Sequence, residues 1–180
     1  MRKHAGMRPQ DVPILLKILS YDYAGQSNWQ MKQIAQDLQV SPSEISESLN
    51  RSFQADLISQ DKRKVNRLAL LEFLKHGIRY VFPQKPGSIV RGIKTAHSAP
   101  PLNRLIISND YYVWPAAEGD AKGQAIEPLY PSVVNASQKD PYLYECLALI
   151  DAIRVGRVRE QEAAREELSR LLQRNGKQND

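Results

Sequence analysis

The stretch QMKQIAQDLQVSPSEISESLNRSFQADLI, residues 30–58, decides how the rest of the chain is interpreted. Its first part predicts a helix over residues 30–38, because apolar residues recur there at the spacing of a single helix face. These residues are Met31, Ile34, Ala35 and Leu38. Ser41 and Pro42 are typical of the first positions of a second helix, and Glu44 has the spacing of a capping box. The stretch therefore predicts two helices joined by a short turn.

The second helix is predicted to be amphipathic. Ile45, Leu49 and Phe53 recur every four residues and are expected to face the core. The opposite face carries side chains that can hydrogen-bond to base edges and phosphates in a DNA major groove. They are Ser43, Ser46, Glu47, Asn50, Arg51 and Gln54. Of these, the two serines, Asn50 and Arg51 are expected to face bases, whereas Glu47 repels phosphate and can accept from a cytosine amine.

This stretch resembles the helix-turn-helix of MarR-like and related winged-helix transcription regulators. Their typical run is IA-x-x-L-x-V-S-x-S-x-I/V-S-x-x-L, followed by Leu-Ile at the start of the next element. The matching residues are Ile34, Ala35, Leu38, Val40, Ser41, Ser43, Ile45, Ser46, Leu49, Leu57 and Ile58. Gln39 and Asp56 stand where the family often has glycine, so Gln39 has to adopt the backbone angles of the turn at some cost. The resemblance covers residues 34–58 and implies a winged helix-turn-helix that binds DNA.

Charge is unevenly distributed along the chain. Residues 1–97 contain 15 Lys and Arg against 8 Asp and Glu, whereas residues 98–180 contain 10 against 12. The excess positive charge therefore lies in the half with the two helices, as a phosphate-binding surface requires, although a mildly basic surface without a partner would show the same balance. The densest cluster follows the second helix and is expected to contact phosphates, unless it is a solvated turn. Its members are Lys62, Arg63, Lys64 and Arg67.

Further elements are predicted on both sides of this stretch. A helix over residues 11–19 would close a three-helix core, and a buried helix over 66–76 would end at Gly77. Strands over 78–82 and 88–93 would form a β-hairpin with Lys85 at its tip, where it could reach DNA as a wing. The shorter segment around Lys62 is the alternative wing.

The C-terminal half is predicted to combine a small sheet with two helices. The segment YVWPAAEGDAKGQAI from Tyr112 is similar to YVFPQKPGSIVRGI from Tyr80, which predicts two related hairpins in one sheet. A buried helix over 142–155 follows Asp140-Pro141, and an amphipathic helix over 157–173 ends the chain. The apolar stripe of that last helix can pack on the body of the protein or pair with its copy in a dimer.

Composition and motifs exclude several classes of protein. No run approaches the ~18 apolar residues of a membrane helix. The single cysteine, Cys146, excludes an intramolecular disulfide and a cysteine zinc site within one chain. The chain has no phosphate loop, dinucleotide fingerprint, zinc-protease motif or nucleophile elbow, and His97 beside Ser98 lacks an identifiable third catalytic member. We therefore expect a cytoplasmic protein that is not an enzyme and holds no metal or cofactor.

Together these observations predict an α+β protein. A winged helix-turn-helix DNA-binding domain would occupy residues 1–93, and residues 94–180 would form a β-rich segment with two helices for dimerisation or partner contact. The expected function is sequence-specific binding of double-stranded DNA, as a homodimeric bacterial transcription regulator. An antitoxin-type repressor has a similar plan of winged helix and second globular part. An adaptor that binds proteins through its winged helix, or an enzyme that brings His97 together with an acid, are the alternatives from other classes.

Overall fold

The computed structural model describes residues 6–174, which form a mixed α+β structure. Its helices are α1 (Asp11–Tyr23), α2 (Met31–Leu38), α3 (Pro42–Gln54), α4 (Arg67–His76), α5 (Ile78–Val81), α6 (Val133–Gln138), α7 (Pro141–Val155) and α8 (Val158–Gln173). Its strands are β1 (Ile89–Lys94), β2 (Tyr112–Pro115) and β3 (Ala121–Ala125). Among these residues, no helix has both the length and the apolar character needed to cross a membrane.

The two helices of the opening stretch form as predicted. Gln39 ends α2 with a φ of 52°, in the left-handed region that glycine usually occupies in such turns. The Ser41 hydroxyl accepts a hydrogen bond from the backbone N–H of Glu44 at 3.2 Å, and Pro42 takes the first helical position of α3. The predicted capping box is wrong, because the Glu44 carboxylate contacts the Arg51 guanidinium instead of the N-cap backbone.

Helix α1 is the centre of the molecule. All ten residues from Asp11 to Ser20 are buried, because α1 packs on α2 and α3 on one side and on α7 on the other. Buried side chains from both halves of the chain form one continuous core cluster. The boundary predicted between residues 93 and 94 lies inside β1.

Arg51 is in the core, so the prediction that it faces bases is wrong. Its side chain is 6% exposed, and its guanidinium donates to both oxygens of the fully buried Asp11 carboxylate at 2.7–3.2 Å. A second donor bond of 2.5 Å reaches Glu44. Asp11 also accepts from the backbone N–H of Arg8. Arg51, which was predicted on the outer surface of α3, therefore joins α3 to the first turn of α1 through an ion pair.

The β-structure differs from the prediction in two respects, because neither of the two predicted hairpins forms within residues 6–174. Residues 78–81 form the short helix α5, so the expected hairpin over 78–93 is absent from the described residues and Lys85 lies in an irregular segment. β1 pairs antiparallel with both β2 and β3, which pair with each other in parallel. The similar segments that begin at Tyr80 and Tyr112 therefore start in different structures, a helix and a strand, although the first contributes β1 and the second contributes β2 and β3 to one small sheet.

The C-terminal helices form as predicted and complete the core. Asp140 caps α7 by accepting from the backbone N–H of Leu143, and its other oxygen accepts from the buried Lys17 ammonium of α1 at 2.8 Å. Cys146 is fully buried on α7. The apolar stripe of α8 packs on α7 and α4. This stripe is therefore used within the chain, and the dimer stays a prediction.

Replacing Arg51 with methionine should lower the free energy of unfolding by about 3–5 kcal/mol, because Asp11 would remain buried without its charged partner. Urea unfolding followed by circular dichroism measures this loss. Arg159, exposed on α8, provides the matched control, and Arg159→Met should change the free energy of unfolding by less than about 0.5 kcal/mol. Equal values for the two variants would contradict a structural role of the Arg51–Asp11 pair.

Gly92 is predicted to be intolerant of any side chain, because β1 changes partner from β3 to β2 at this residue. A Cβ at Gly92 would lie 2.0 Å from the backbone oxygen of Trp114. Gly92→Ala should therefore cost about 2 kcal/mol or more of stability, measured by thermal unfolding. At Gly87, just before the same strand, a Cβ would meet Ala125 at an ordinary 3.6 Å, so Gly87→Ala is the control. A Gly92→Ala protein as stable as Gly87→Ala would show that the strands do not meet as described.

Candidate nucleic-acid interface

The outer face of α3 is made of hydrogen-bonding side chains. Ser43, Glu47 and Gln54 are exposed, and Ser46 and Asn50 are half-buried beside them. The inner face presents Ile45 and Leu49 to the core, together with the buried Ser48 and Ser52. Phe53 was expected to face inward, but it is 39% exposed in the last turn of α3. The core-facing pattern of α3 therefore ends before Phe53.

A short hairpin over residues 57–66, which we call the 57–66 hairpin, follows α3 directly. Ile58 and Val65 form its antiparallel bridge, and both side chains are buried at 3% exposure. Backbone bonds close it from Asn66 to Leu57 at 2.9 Å and from Ser59 to Lys64 at 2.8 Å. Its turn places Lys62 at a φ of 56°. The hairpin is the smaller of the two segments predicted as a wing, and its buried bridge fixes it to the core.

Two basic side chains of the 57–66 hairpin are held by defined contacts. The Lys62 ammonium donates to the Asn50 side-chain oxygen on α3. The Arg63 guanidinium lies 4.1 Å from the centre of the Trp29 ring, at a cation–π distance. Trp29 itself is 2% exposed and belongs to the hydrophobic core, so Arg63 packs on a ring that is fixed in the core. Both contacts hold the tip of the hairpin near the outer face of α3.

A cleft of about 180 Å³ separates the tip of the 57–66 hairpin from α3. Apolar side chains form its floor, and Ser46 joins the hairpin turn on its rim. The lining residues are Trp29, Met31, Ser46, Leu49, Asp61, Lys62 and Arg63. The cleft brings together the expected base-contacting Ser46 and the expected phosphate-contacting Lys62 and Arg63.

The remaining predicted cations are in three different environments. Lys64 is exposed on the hairpin. Arg67 donates to the backbone oxygen of Leu172 at 2.7 Å and lies 3.5 Å from the Asp22 carboxylate, so the prediction that its guanidinium faces phosphate is wrong. Lys85 is exposed between α5 and β1, outside the 57–66 hairpin. Of the predicted cations, only Arg63 and Lys64 are therefore both exposed and on the hairpin.

The electrostatics of this region are less basic than the whole N-terminal half suggests. Residues 31–66 contain five Lys and Arg and five Asp and Glu, so the segment carries no formal net charge. Burial alone would raise the pKa of Glu44, but hydrogen bonds from Arg51 and Gln10 outweigh it and hold that pKa below its usual value. Hydrogen bonds from Arg51 to Asp11 raise the pKa of the Arg51 guanidinium. The positive charge of Arg51 is therefore compensated by Asp11 and Glu44. Glu47 is the exposed charged residue of α3.

His97 was the candidate for an enzymatic alternative, and the structure does bring it near an acid. The ring is 4% exposed; Nε2 donates to the backbone oxygen of Asp110 at 2.8 Å, and Nδ1 lies 3.9 Å from the Glu160 carboxylate. The Ser98 hydroxyl accepts from the backbone N–H of Tyr112 at 2.9 Å. Within residues 6–174, no hydrogen bond joins Ser98 to His97, and no three His, Cys, Asp or Glu side chains are grouped to hold a metal ion.

Two residues that organise the interface were missed in the sequence. Asp11 resembles an ordinary acidic residue in the first turn of a helix, and its partner Arg51 lies 40 positions away. Trp29 is a single aromatic residue before α2, and nothing near it in the sequence indicates a contact with Arg63. The one available signal was the position of Asp11 at the start of a mostly apolar run, since a buried carboxylate requires a cation or several donors.

The chain was also compared with models of known protein families, with curated proteins and with solved structures, and none of them matches it.

Proposed function

We propose that this chain is a sequence-specific DNA-binding protein that acts as a transcription regulator, with residues 11–76 as a winged helix-turn-helix. In this proposal α3 is the recognition helix and lies in the major groove. The 57–66 hairpin is the wing and contacts the phosphate backbone through Arg63 and Lys64. An antitoxin-type repressor would use the same surface in the same way and differs in the operon that it controls.

The observation that carries this proposal is the composition of the outer face of α3. Its side chains from Ser43 to Gln54 can all donate or accept hydrogen bonds, which suits base edges. A helix face that binds another protein is instead typically rich in aromatic and other apolar residues at its centre. The cations that α3 lacks are supplied by the hairpin, which is fastened beside it by the Lys62–Asn50 hydrogen bond and the Arg63–Trp29 contact.

The adaptor alternative is favoured by a different surface. A broad groove lies between the end of α3, the 57–66 hairpin and the start of α4. Phe53 and Leu68 line it, and their side chains are 39% and 69% exposed. Exposed apolar side chains that adjoin one another are typical of protein-binding surfaces. This groove lies next to the proposed DNA-binding surface but shares no residue with the outer face of α3.

The proposal predicts duplex DNA binding that weakens with salt. Fluorescence anisotropy with random duplexes and with the upstream region of the protein's own gene measures the binding constant across a salt series. In the double variant Arg63→Ala, Lys64→Ala, the slope of log K against log salt should become shallower by about 1.8, because each lost phosphate contact contributes about 0.9. Lys62 is left unchanged in this variant, since it is bonded to Asn50.

Lys122→Ala with Arg159→Ala is the matched control, since it removes two exposed cations from β3 and α8, outside the proposed surface. Its salt slope should equal that of the wild type. Equal losses in both double variants would indicate non-specific attraction by net charge. If the wild type binds no duplex even at low salt, the DNA proposal fails. Pull-down by wild type but not by Phe53→Ser, Leu68→Ser would then support the adaptor.

A further inference from the structure

The hydrogen bond between Lys62 and Asn50 determines which end of the Asn50 amide faces Lys62 and which end is free. Lys62 is in the turn of the 57–66 hairpin, and Asn50 is half-buried on the outer side of α3. The Lys62 ammonium has three N–H donors and no acceptor, so its partner atom on Asn50 has to be the oxygen. This assignment follows from chemistry and does not depend on how the two ends of the amide are otherwise distinguished.

The nitrogen end of Asn50 is consequently the free end. Among the described residues, the hydrogen bond of the Asn50 side chain is the one that its oxygen accepts from Lys62, and its NH₂ group meets no protein acceptor. An unrestrained asparagine reads adenine by donating to N7 while its oxygen accepts from the N6 amine. With its oxygen turned towards the Lys62 ammonium, Asn50 presents its two N–H donors as the free end of the amide.

We propose that Lys62 is a specificity-determining residue, which orients the Asn50 amide with its N–H donors free and so selects guanine over adenine at one base pair. This inference rests on the proposed function. Guanine offers two neighbouring acceptors, N7 and O6, on its major-groove edge, whereas adenine places a donor beside its N7. A side chain with two donors matches guanine, and at adenine one of its hydrogens meets the N6 amine.

The geometry of the hairpin supports a positioning role for Lys62. Its backbone is held by the bond from its own N–H to the Ser59 oxygen at 2.8 Å, and its side chain is half-buried, unlike those of Arg63 and Lys64. The turn is anchored by the buried bridge between Ile58 and Val65. The Lys62 ammonium is therefore held next to Asn50 by a hairpin that is fixed to the core.

Selection from a random duplex library, followed by binding to single-base variants of the selected site, tests this inference. Wild type should prefer guanine at one base pair, and Asn50→Ala should lose the preference there, by roughly 5- to 150-fold for one good side-chain pair. Lys62→Met keeps the length of the side chain and removes the donor. It should free the Asn50 oxygen and move the preference at that base pair towards adenine. Arg63→Met is the control and should weaken binding to all sites alike.

The outcomes separate the inference from the function on which it rests. Specific binding with an unchanged guanine preference in Lys62→Met would overturn the inference and leave the DNA-binding proposal intact. Absence of any duplex binding would overturn both. A measurement without DNA tests the contact itself: the side-chain NH₂ resonances of Asn50 should shift in Lys62→Met and stay in place in Lys64→Met. Unchanged Asn50 resonances in Lys62→Met would contradict the hydrogen bond.

Discussion

The buried ion pair between Arg51 and Asp11 is the constraint on which the arrangement of the first three helices depends. The Asp11 carboxylate is fully buried and the Arg51 side chain is only 6% exposed, so each charge is tolerable only while the other is in place. The pair therefore fixes how far α3 can rotate about its own axis relative to α1. A rotation that moved Arg51 outward would leave the Asp11 carboxylate without its guanidinium. This restriction determines which side chains of α3 face solvent.

A second group of polar contacts, around Lys17, connects α1 to α2 and to the start of α7. Lys17 on α1 reaches the Asp37 carboxylate of α2 at 3.1 Å and the Asp140 carboxylate at the start of α7 at 2.8 Å. Burial and the hydrogen bond to Asp37 raise the pKa of the Tyr21 hydroxyl, so this group remains a neutral donor in the same network. Hydrogen bonds and charges are satisfied together here, which is what makes buried polar groups specify a single arrangement.

Local patterns in the sequence predicted the helices well, because caps and apolar periodicity act over four residues. Ser41 with Pro42 and Asp140 with Pro141 mark the starts of α3 and α7 in the sequence as in the structure. The predicted strand over 78–82 failed because its aromatic and β-branched residues continue α4 through Gly77 into the helix α5. Arg51 was misplaced for a different reason: its helical position is compatible with the surface, and the acid that draws it inward is contributed by a distant segment. Contacts of this kind have no local signature.

The burial of α1 between two parts of the chain limits how this protein can be engineered. α1 packs both on the α2–α3 pair and on α7, and its eleven consecutive buried residues need both surfaces. Residues 11–66 transferred to another protein would bring along an apolar helix side with nothing to cover it. The outer face of α3 can therefore be changed by substitution, whereas exchange of the whole unit would expose the apolar side of α1.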